Sequence, residues 1–155
     1  MANPSTISAP DLTQRPPRSP CVTLGGYVLL PRVLDKCRAM IAGKNGEYRF
    51  GIQRMDRHFL KFTGIDEEAL KAEVATGKSD SEMLAWIQMN AKTPREPWEI
   101  AQWSDYMLHR GPDSDAETWQ FFAEAVGKFS TTREDIRTWF DLLDLDDHVS
   151  FGGKP

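Results

Sequence analysis

Apolar side chains recur at spacings of three and four residues in a series of short stretches along this chain. One clear stretch carries Trp119, Phe122, Val126 and Phe129 on one side of a helix. Glycine or proline separates most of the stretches, so each predicts a short amphipathic helix and not part of a coiled coil. The pattern therefore predicts a mainly α-helical fold class, an irregular or orthogonal bundle of about seven helices.

Residues that start helices predict several of the helix boundaries. Pro31 suits the first turn of a helix, where its missing N–H would have no partner in any case. A later helix begins at either Pro94 or Pro97, and the sequence does not choose between them. Thr131 and Glu134 have the spacing of a capping box, which predicts the start of the last helix.

Three segments lack the helical pattern. Residues 1–20 contain five prolines and predict an extended arm that is partly disordered. Residues 22–30 alternate small and apolar side chains around a Gly-Gly pair, and residues 48–52 are the best candidate for a strand. At most one short β-hairpin or strand is expected in these two segments. Residues 21–155 should form a single helical domain.

Length and cysteine content limit the class of protein. The chain has 155 residues, enough for one domain with a hydrophobic core. Its longest apolar run, residues 27–30, is too short to cross a bilayer, and residues 1–20 have no apolar segment of the signal-peptide kind. The cysteines are Cys21 and Cys37, too few for the disulfide framework of a small secreted domain. We therefore expect a cytoplasmic protein with reduced thiols.

The charge is divided unevenly along the chain. Residues up to Arg54 include eight basic and three acidic side chains, a net charge of +5, whereas the remainder carries −9. Such asymmetry occurs in nucleic-acid-binding arms. Here the basic residues are scattered singly with few aromatic residues between them, which disfavours nucleic-acid binding. We expect the two parts to attract each other within one fold.

The sequence contains no motif that carries chemistry by itself. The three histidines do not form the His-Glu-x-x-His or paired Glu-x-x-His patterns of metal sites. There is no Gly-x-Ser-x-Gly nucleophile motif, and neither cysteine has a histidine nearby in sequence. No glycine-rich phosphate-binding loop occurs. We therefore predict neither a metal site nor a cofactor.

The most informative group of polar residues follows Pro31. Arg32, Asp35 and Lys36 lie on one predicted helix, and Tyr48 and Asp56 follow the turn behind it. Charges on an amphipathic helix usually form its solvent-exposed side. The alternative is a pocket between helices, in which Arg32 or Lys36 binds an anion that Asp35 or Asp56 orients.

Five tryptophans also need an interpretation, and Trp98 differs from the others. It follows Pro97 directly and precedes the main apolar stripe of its helix. It is therefore the tryptophan best placed to reach a surface or the edge of a pocket, where indole rings often serve recognition. A place in the core is the alternative for Trp98.

Several separate segments, in this order, resemble those of a bacterial family of small stand-alone proteins that is described only as a domain of unknown function. The segments are Asp11-Leu12-Thr13, Leu24-Gly25-Gly26-Tyr27, Leu30-Pro31-Arg32, Asp35-Lys36-Cys37-Arg38-Ala39, residues 42–48, Phe62-Thr63-Gly64-Ile65 and residues 139–147. The resemblance implies a compact helical domain and brings no activity, cofactor or catalytic residue. Relatives tend toward Pro-Leu-Asp at Asp56, whereas this chain has Arg54-Met55-Asp56, which argues against a strict role for Arg54.

The leading hypothesis from the sequence is a non-catalytic binding or interaction module. It would use Arg32, Asp35, Lys36, Tyr48 and Asp56 to bind a small anionic ligand, or contact a protein partner near Trp98. The first alternative is a small enzyme in which Asp35, Lys36, Tyr48 and Asp56 act as acid/base groups. A nucleic-acid-associated protein is the second alternative. The oligomeric state stays open.

Overall fold

Seven helices and one two-stranded hairpin make up the regular structure of the described residues, which are 7–52, 54–113 and 115–155 of a computed structural model. The mainly helical fold class is confirmed. None of the helices in this part of the chain combines the length and the apolar content needed to cross a membrane. The elements are β1 (Thr23–Leu24), β2 (Tyr27–Val28), α1 (Leu30–Ile41), α2 (Arg57–Thr63), α3 (Glu67–Val74), α4 (Asp80–Asn90), α5 (Pro97–His109), α6 (Ala116–Gly127) and α7 (Trp139–Ser150).

The hairpin lies within residues 22–30, as expected. Its turn residues Gly25 and Gly26 have φ values of 59° and 84°, and a two-residue type I′ turn requires positive φ at both positions. The Ser104 hydroxyl of α5 donates to the carbonyl of Gly26 at 2.6 Å and accepts from the N–H of Val28 at 3.2 Å. These two bonds fasten the hairpin to α5.

Residues 48–52, the best candidate for a strand in the sequence, form no strand, so that expectation is wrong. Gly51 has a φ of 137°, a value open mainly to glycine. Its N–H donates to Oδ2 of Asp56 at 3.0 Å, and the N–H of Ile52 donates to Oε2 of Glu67 at 2.9 Å. Because carboxylates take these backbone donors, the segment forms a loop over the starts of α2 and α3.

Pro97 is the first residue of α5, which decides between the two starts left open by the sequence. The N–H of Glu96, just before it, donates to Oε2 of Glu99 at 2.8 Å. The N–H of Thr93 donates to the carbonyl of Thr63 at 3.1 Å and holds that segment against the end of α2. The bond from the N–H of Glu96 to the side chain of Glu99 therefore marks this helix start.

The last helix begins later than the sequence predicts. Oγ1 of Thr138 accepts from the N–H of Asp141 at 3.0 Å, and Oδ2 of Asp141 accepts from the N–H of Thr138 at 3.0 Å. This is a capping box. The predicted box at Thr131 and Glu134 is wrong, because Oγ of Ser130 accepts two N–H groups of the residues that follow and holds them in a turn.

The central element of the fold is α1, in which nine of twelve residues are buried. Its apolar residues, such as Val33 and Leu34, belong to the main hydrophobic core. A helix buried on all sides is normally apolar throughout. Yet α1 also buries Arg32, Asp35 and Lys36, which are 3%, 7% and 6% exposed. Each of these charges needs a partner, because a lone buried charge is strongly destabilising.

The described part of the N-terminal arm is attached to α1 and α4 through Arg18. Nε and Nη2 of Arg18 donate to the two carboxylate oxygens of Asp35, both at 3.0 Å. Nη1 donates to Asp80 at 2.7 Å, and Arg38 of α1 donates to the other oxygen of Asp80 at 2.7 Å. Two arginines and two aspartates thus join three elements.

Replacing Asp80 tests this attachment. We expect Asp80→Asn to lower the free energy of unfolding by about 1–2 kcal/mol, as for a partly exposed bond to a charged group. Bonds from Arg18 hold the pKa of Asp80 below its usual value of 3.8. A depressed carboxyl pKa stabilises above the unfolded value and the contribution is lost as the pH falls through the folded value. Urea unfolding at about pH 7 and about pH 3 measures the free energy of unfolding of both proteins. The difference between the unaltered chain and Asp80→Asn should be smaller at about pH 3.

Glu82→Gln is the matched control, because Glu82 also lies in the first turn of α4 and is exposed. It removes the same favourable charge from the helix N-terminus without touching Arg18. An equal loss of stability in Glu82→Gln, or an Asp80→Asn loss that does not change with pH, would contradict the prediction.

Candidate functional site

A cleft opens beside α1, between the arm, the loop that follows α1, and α7. Its volume is about 600 Å³, within the range of small-molecule sites. The arm forms one wall through Leu12, which is 1% exposed and donates its N–H to the carbonyl of Lys44 at 2.8 Å. Gly46 lines the same wall with a φ of 54°, and a Cβ there would lie 2.9 Å from the Leu12 carbonyl. The close approach of arm and loop therefore depends on this glycine.

Arg32 joins α1 to α7 beside the cleft. Its two Nη atoms donate to both oxygens of Asp147, at 2.7 and 3.2 Å, in a nearly fully buried pair. The Tyr48 hydroxyl donates to Oδ1 of the same carboxylate at 2.7 Å. Burial first, and then the bond to Asp147, raise the pKa of Tyr48 above its usual 10.0. The phenol is therefore a fixed, protonated donor at neutral pH.

Lys36 lies one helical turn after Arg32 and also lines the cleft. Its Nζ is 2.7 Å from Oδ1 of Asp56, and the two side chains are 7% and 0% exposed. The other oxygen of Asp56 is held by the N–H of Gly51. Burial lowers the pKa of Lys36 below its usual 10.5, and Asp56 opposes that shift. The pair is thus a buried ammonium facing a carboxylate of fixed orientation.

The ammonium of Lys36 has more donors than partners. It carries three N–H groups, and across the described ranges Asp56 is the one side chain within ion-pair distance of it. Arg32 differs, because a single carboxylate engages both ends of its guanidinium. Lys36 therefore has hydrogen-bonding capacity to offer to a molecule in the cleft.

Two of the six candidate residues lie away from the cleft. Asp35 comes one residue before Lys36 and so lies about 100° away from it around the helix, and its carboxylate is bound by Arg18. Trp98 is on α5 and is 62% exposed, with no part in the cleft wall. The structure brings the other four together: Arg32, Lys36 and Tyr48 line the cleft and Asp56 lies behind Lys36.

The charges of the lining are mostly positive. Arg49 and Arg54, both exposed, add to Arg32 and Lys36, while Glu47 and Asp146 are the acidic members of the lining. The carboxylates that balance Arg32 and Lys36 are not part of the lining but lie behind it. Cations are therefore closer to the interior of the cleft than their countercharges.

The cleft also has an apolar side. Phe151, just after α7, lies parallel to the Tyr48 ring, with ring centroids 6.5 Å apart and planes 7° apart. Met55, Leu143 and Leu12 complete the apolar part of the lining. A ligand that fills this space would therefore need an apolar or aromatic portion beside a charged group.

Asp147 and Phe151 are the functional-site residues that the sequence reasoning missed. Asp147 belongs to an acidic run with no feature that marks it as a partner of a residue 115 positions earlier. The one available signal was the i, i+3 spacing of Asp144 and Asp147, which puts both on one side of a helix. Among the described residues, no group of three or more His, Cys, Asp or Glu side chains is arranged to hold a metal ion.

The chain belongs to the family described as a domain of unknown function (DUF5069), which matches residues 14–149. The resemblance to a family described as a domain of unknown function is thereby confirmed. The match includes Arg32, Lys36, Tyr48, Asp56 and Asp147, and excludes the flanking cleft residues Leu12 and Phe151. A search of curated proteins found no match. The family description assigns no activity, so function has to be argued from the cleft.

Breaking the buried pair from one side should be costly. We expect Asp56→Asn to lower the free energy of unfolding by about 3 kcal/mol, because Lys36 would keep its charge without a countercharge. The variant retains an oxygen that can accept from Gly51. Lys36→Met/Asp56→Asn should be destabilised by less than the sum of the two single changes, a coupling that denaturant unfolding and a double-mutant cycle measure.

A pH series adds a second readout for this pair. A buried amine with a lowered pKa binds fewer protons folded than unfolded, so stability rises with pH up to the usual value of 10.5. Loss of the Asp56 carboxylate should lower the pKa of Lys36 further and so enlarge the rise of stability with pH. Asp113→Asn, at an exposed position, is the control and should change stability by less than about 0.5 kcal/mol. Additive single and double variants with unchanged pH profiles would refute the coupling.

Proposed function

We propose that this member of the DUF5069 family is a non-catalytic binding module that takes a small anionic ligand in the cleft beside α1. The observation that carries the proposal is Lys36, a nearly buried cation that lines the cleft while its described countercharge, Asp56, is not part of the lining. A buried cation with unused donors is a strong site for an oxyanion, because charge-assisted hydrogen bonds are stronger where water is excluded.

The layering of charge supports an anion over a cation. Arg32 and Lys36 separate the interior of the cleft from Asp147 and Asp56. At short range an oxyanion therefore meets donors first, and the carboxylates act at a greater distance. The Tyr48 hydroxyl donates to Asp147 and so takes up part of the hydrogen-bond-accepting capacity of that carboxylate.

The apolar lining limits the size and type of ligand. A volume of about 600 Å³ suits a molecule much smaller than a folded partner. The side chains of Phe151, Met55 and Leu143 favour a ligand with an aromatic or aliphatic portion. We therefore expect a compact carboxylate or phosphate that carries an apolar group.

A protein partner is the second candidate, and exposed aromatic side chains favour it. Trp98 and Tyr106 on α5 are 62% and 60% exposed, and Trp119 and Phe121 on α6 are 54% and 63% exposed. Large exposed aromatic groups are typical of interaction surfaces. We rank this candidate second because none of these four rings lines the cleft beside α1, where the buried cations lie.

The two other readings from the sequence have less support. The acid/base cluster lacks Asp35, whose carboxylate is bound to Arg18. In the basic N-terminal part, four cations are paired with carboxylates, which leaves less charge for nucleic acid: Arg18, Arg32, Lys36 and Arg38.

For the compartment we propose the bacterial cytoplasm, supported by two free thiols. Burial raises the pKa of the Cys37 thiol to about 12 and keeps it unreactive.

Calorimetry with phenylacetate, phenyl phosphate and neutral phenylacetamide tests the proposal. At least one anion should bind about tenfold or more tightly than phenylacetamide, equivalent to about 1.4 kcal/mol. Higher salt should weaken that binding, and the better anion identifies carboxylate or phosphate as the preferred group. Equal affinity for all three probes, or no binding at millimolar concentration, would count against the cleft as an anion site.

Two variants assign binding to the cleft. Lys36→Met keeps the length of the side chain and removes its charge, so it should reduce anion affinity about tenfold or more. Lys128→Met, at an exposed position after α6, is the matched control and should bind as the unaltered chain does. If Lys36→Met lowers the unfolding midpoint too far, Arg49→Gln at the exposed rim should still weaken binding measurably. Retained affinity in both cleft variants would place the binding elsewhere.

A further inference from the structure

Lys36 has a second capacity that ionic binding does not use. It is a primary amine in a cleft, and one oxygen of a carboxylate lies 2.7 Å from its nitrogen. That carboxylate belongs to Asp56 and cannot rotate freely, because the N–H of Gly51 holds its other oxygen at 3.0 Å. A positioned acid/base group beside an amine is the arrangement that imine formation requires.

We propose that Lys36 captures a carbonyl-containing anion, a 2-oxo acid, as a reversible imine in the cleft. The inference rests on the proposed function, since it names the chemical class of the anion bound there. The carboxylate of the 2-oxo acid would interact with the cationic lining and its carbonyl carbon would meet the nitrogen of Lys36.

The steps balance without an external oxidant or reductant. Asp56 accepts a proton from the ammonium and leaves a neutral amine. The nitrogen lone pair forms a bond to the carbonyl carbon, while the carbonyl π pair moves to oxygen, which takes the proton held by Asp56. The nitrogen, now positively charged, gives a second proton to Asp56. Asp56 passes that proton to the hydroxyl, which leaves as water when the C–O bond breaks. The product is a protonated imine and one water, with Asp56 again a carboxylate.

The surroundings favour this use of the amine. Burial and the nearby charges of Arg32 and Arg54 make the ammonium form of Lys36 less stable than it is in water. Asp56 remains as the counterion of the protonated imine. Phe151 and Leu143 give the cleft an apolar side for the organic part of the captured 2-oxo acid.

A purely structural ion pair does not account for these features as well. Replacing a buried pair with apolar residues of similar volume is often neutral or stabilising, so burial of Lys36 brings no evident gain in stability. The structural pair is nevertheless a defined alternative, and the trapping experiment separates the two.

The test is reduction of the intact chain with sodium cyanoborohydride at neutral pH in the presence of phenylpyruvate. Intact mass and peptide mapping should show one reduced adduct, at Lys36, formed at least about tenfold faster than at exposed lysines such as Lys44 and Lys128, as expected for an amine with a larger neutral fraction. Phenyllactate, in which a hydroxyl replaces the carbonyl, should give no adduct. Adducts spread evenly over the lysines, or none at Lys36, would overturn the proposal.

Variants connect the adduct to the proposed chemistry. Lys36→Met should lose the adduct, whereas Lys44→Met, an exposed position near the cleft, should retain it. Asp56→Asn should slow trapping at Lys36. A merely structural role predicts faster trapping instead, because loss of the countercharge lowers the pKa of Lys36 further and raises the neutral fraction of the amine. Unchanged trapping in Asp56→Asn would remove Asp56 from the mechanism and contradict the inference.

Phenyllactate also separates this inference from the proposed function. If phenyllactate and phenylpyruvate bind equally, both dependent on Lys36, and no adduct forms, the imine is wrong and the anion site stands. If neither binds and no adduct forms, the proposed function fails together with the inference.

Discussion

Buried charge on α1 is the constraint on which the rest of this structure depends. Burial of apolar surface supplies most of the free energy of folding, but it has no direction. Charge pairs have defined geometry, and the partners come from distant parts of the chain. Asp35 requires the arm through Arg18, Lys36 requires the loop before α2, and Arg32 requires α7. The way these elements surround α1 is therefore fixed by where the countercharges lie.

The two charged sides of α1 are completed differently, and that difference produces the cleft. On one side, Arg18 and Arg38 share Asp80. Arg18 also donates to Asp35 and to a backbone carbonyl, and Arg38 donates to another backbone carbonyl, so their donors are largely used. On the other side, the loop and the end of α7 approach without closing. Arg32 is satisfied there by Asp147, and among the described residues Lys36 has Asp56 as its one charged partner. The first side joins the arm and α4 to α1, and the second is the side that we propose as the ligand site.

The sequence predicted the features that depend on local chemistry. Helix periodicity, the first-turn Pro31 and the hairpin at residues 22–30 all follow from interactions within a few residues. The start of the last helix was wrong because Ser130 and Thr138 each accept N–H groups of the residues that follow them, and their local patterns are alike, although only Thr138 begins a helix. The strand at residues 48–52 was wrong because its backbone donors bind Asp56 and Glu67, and no pattern of side chains reveals that. For the candidate site, spacing placed Arg32 and Lys36 on one helix face, but partners such as Asp147 are set by tertiary packing.

The chemical difference between arginine and lysine explains why one residue of α1 stands out. A guanidinium presents its donors in a planar fork, and one carboxylate can satisfy two of them at once. An ammonium directs three donors tetrahedrally, and one carboxylate cannot reach all of them. Arg32 and Asp147 form such a closed pair. Lysine leaves donors directed past the carboxylate, and it is also the cation that can become a neutral amine when buried. Position 36 therefore joins the electrostatic framework of the fold to the chemistry available in the cleft.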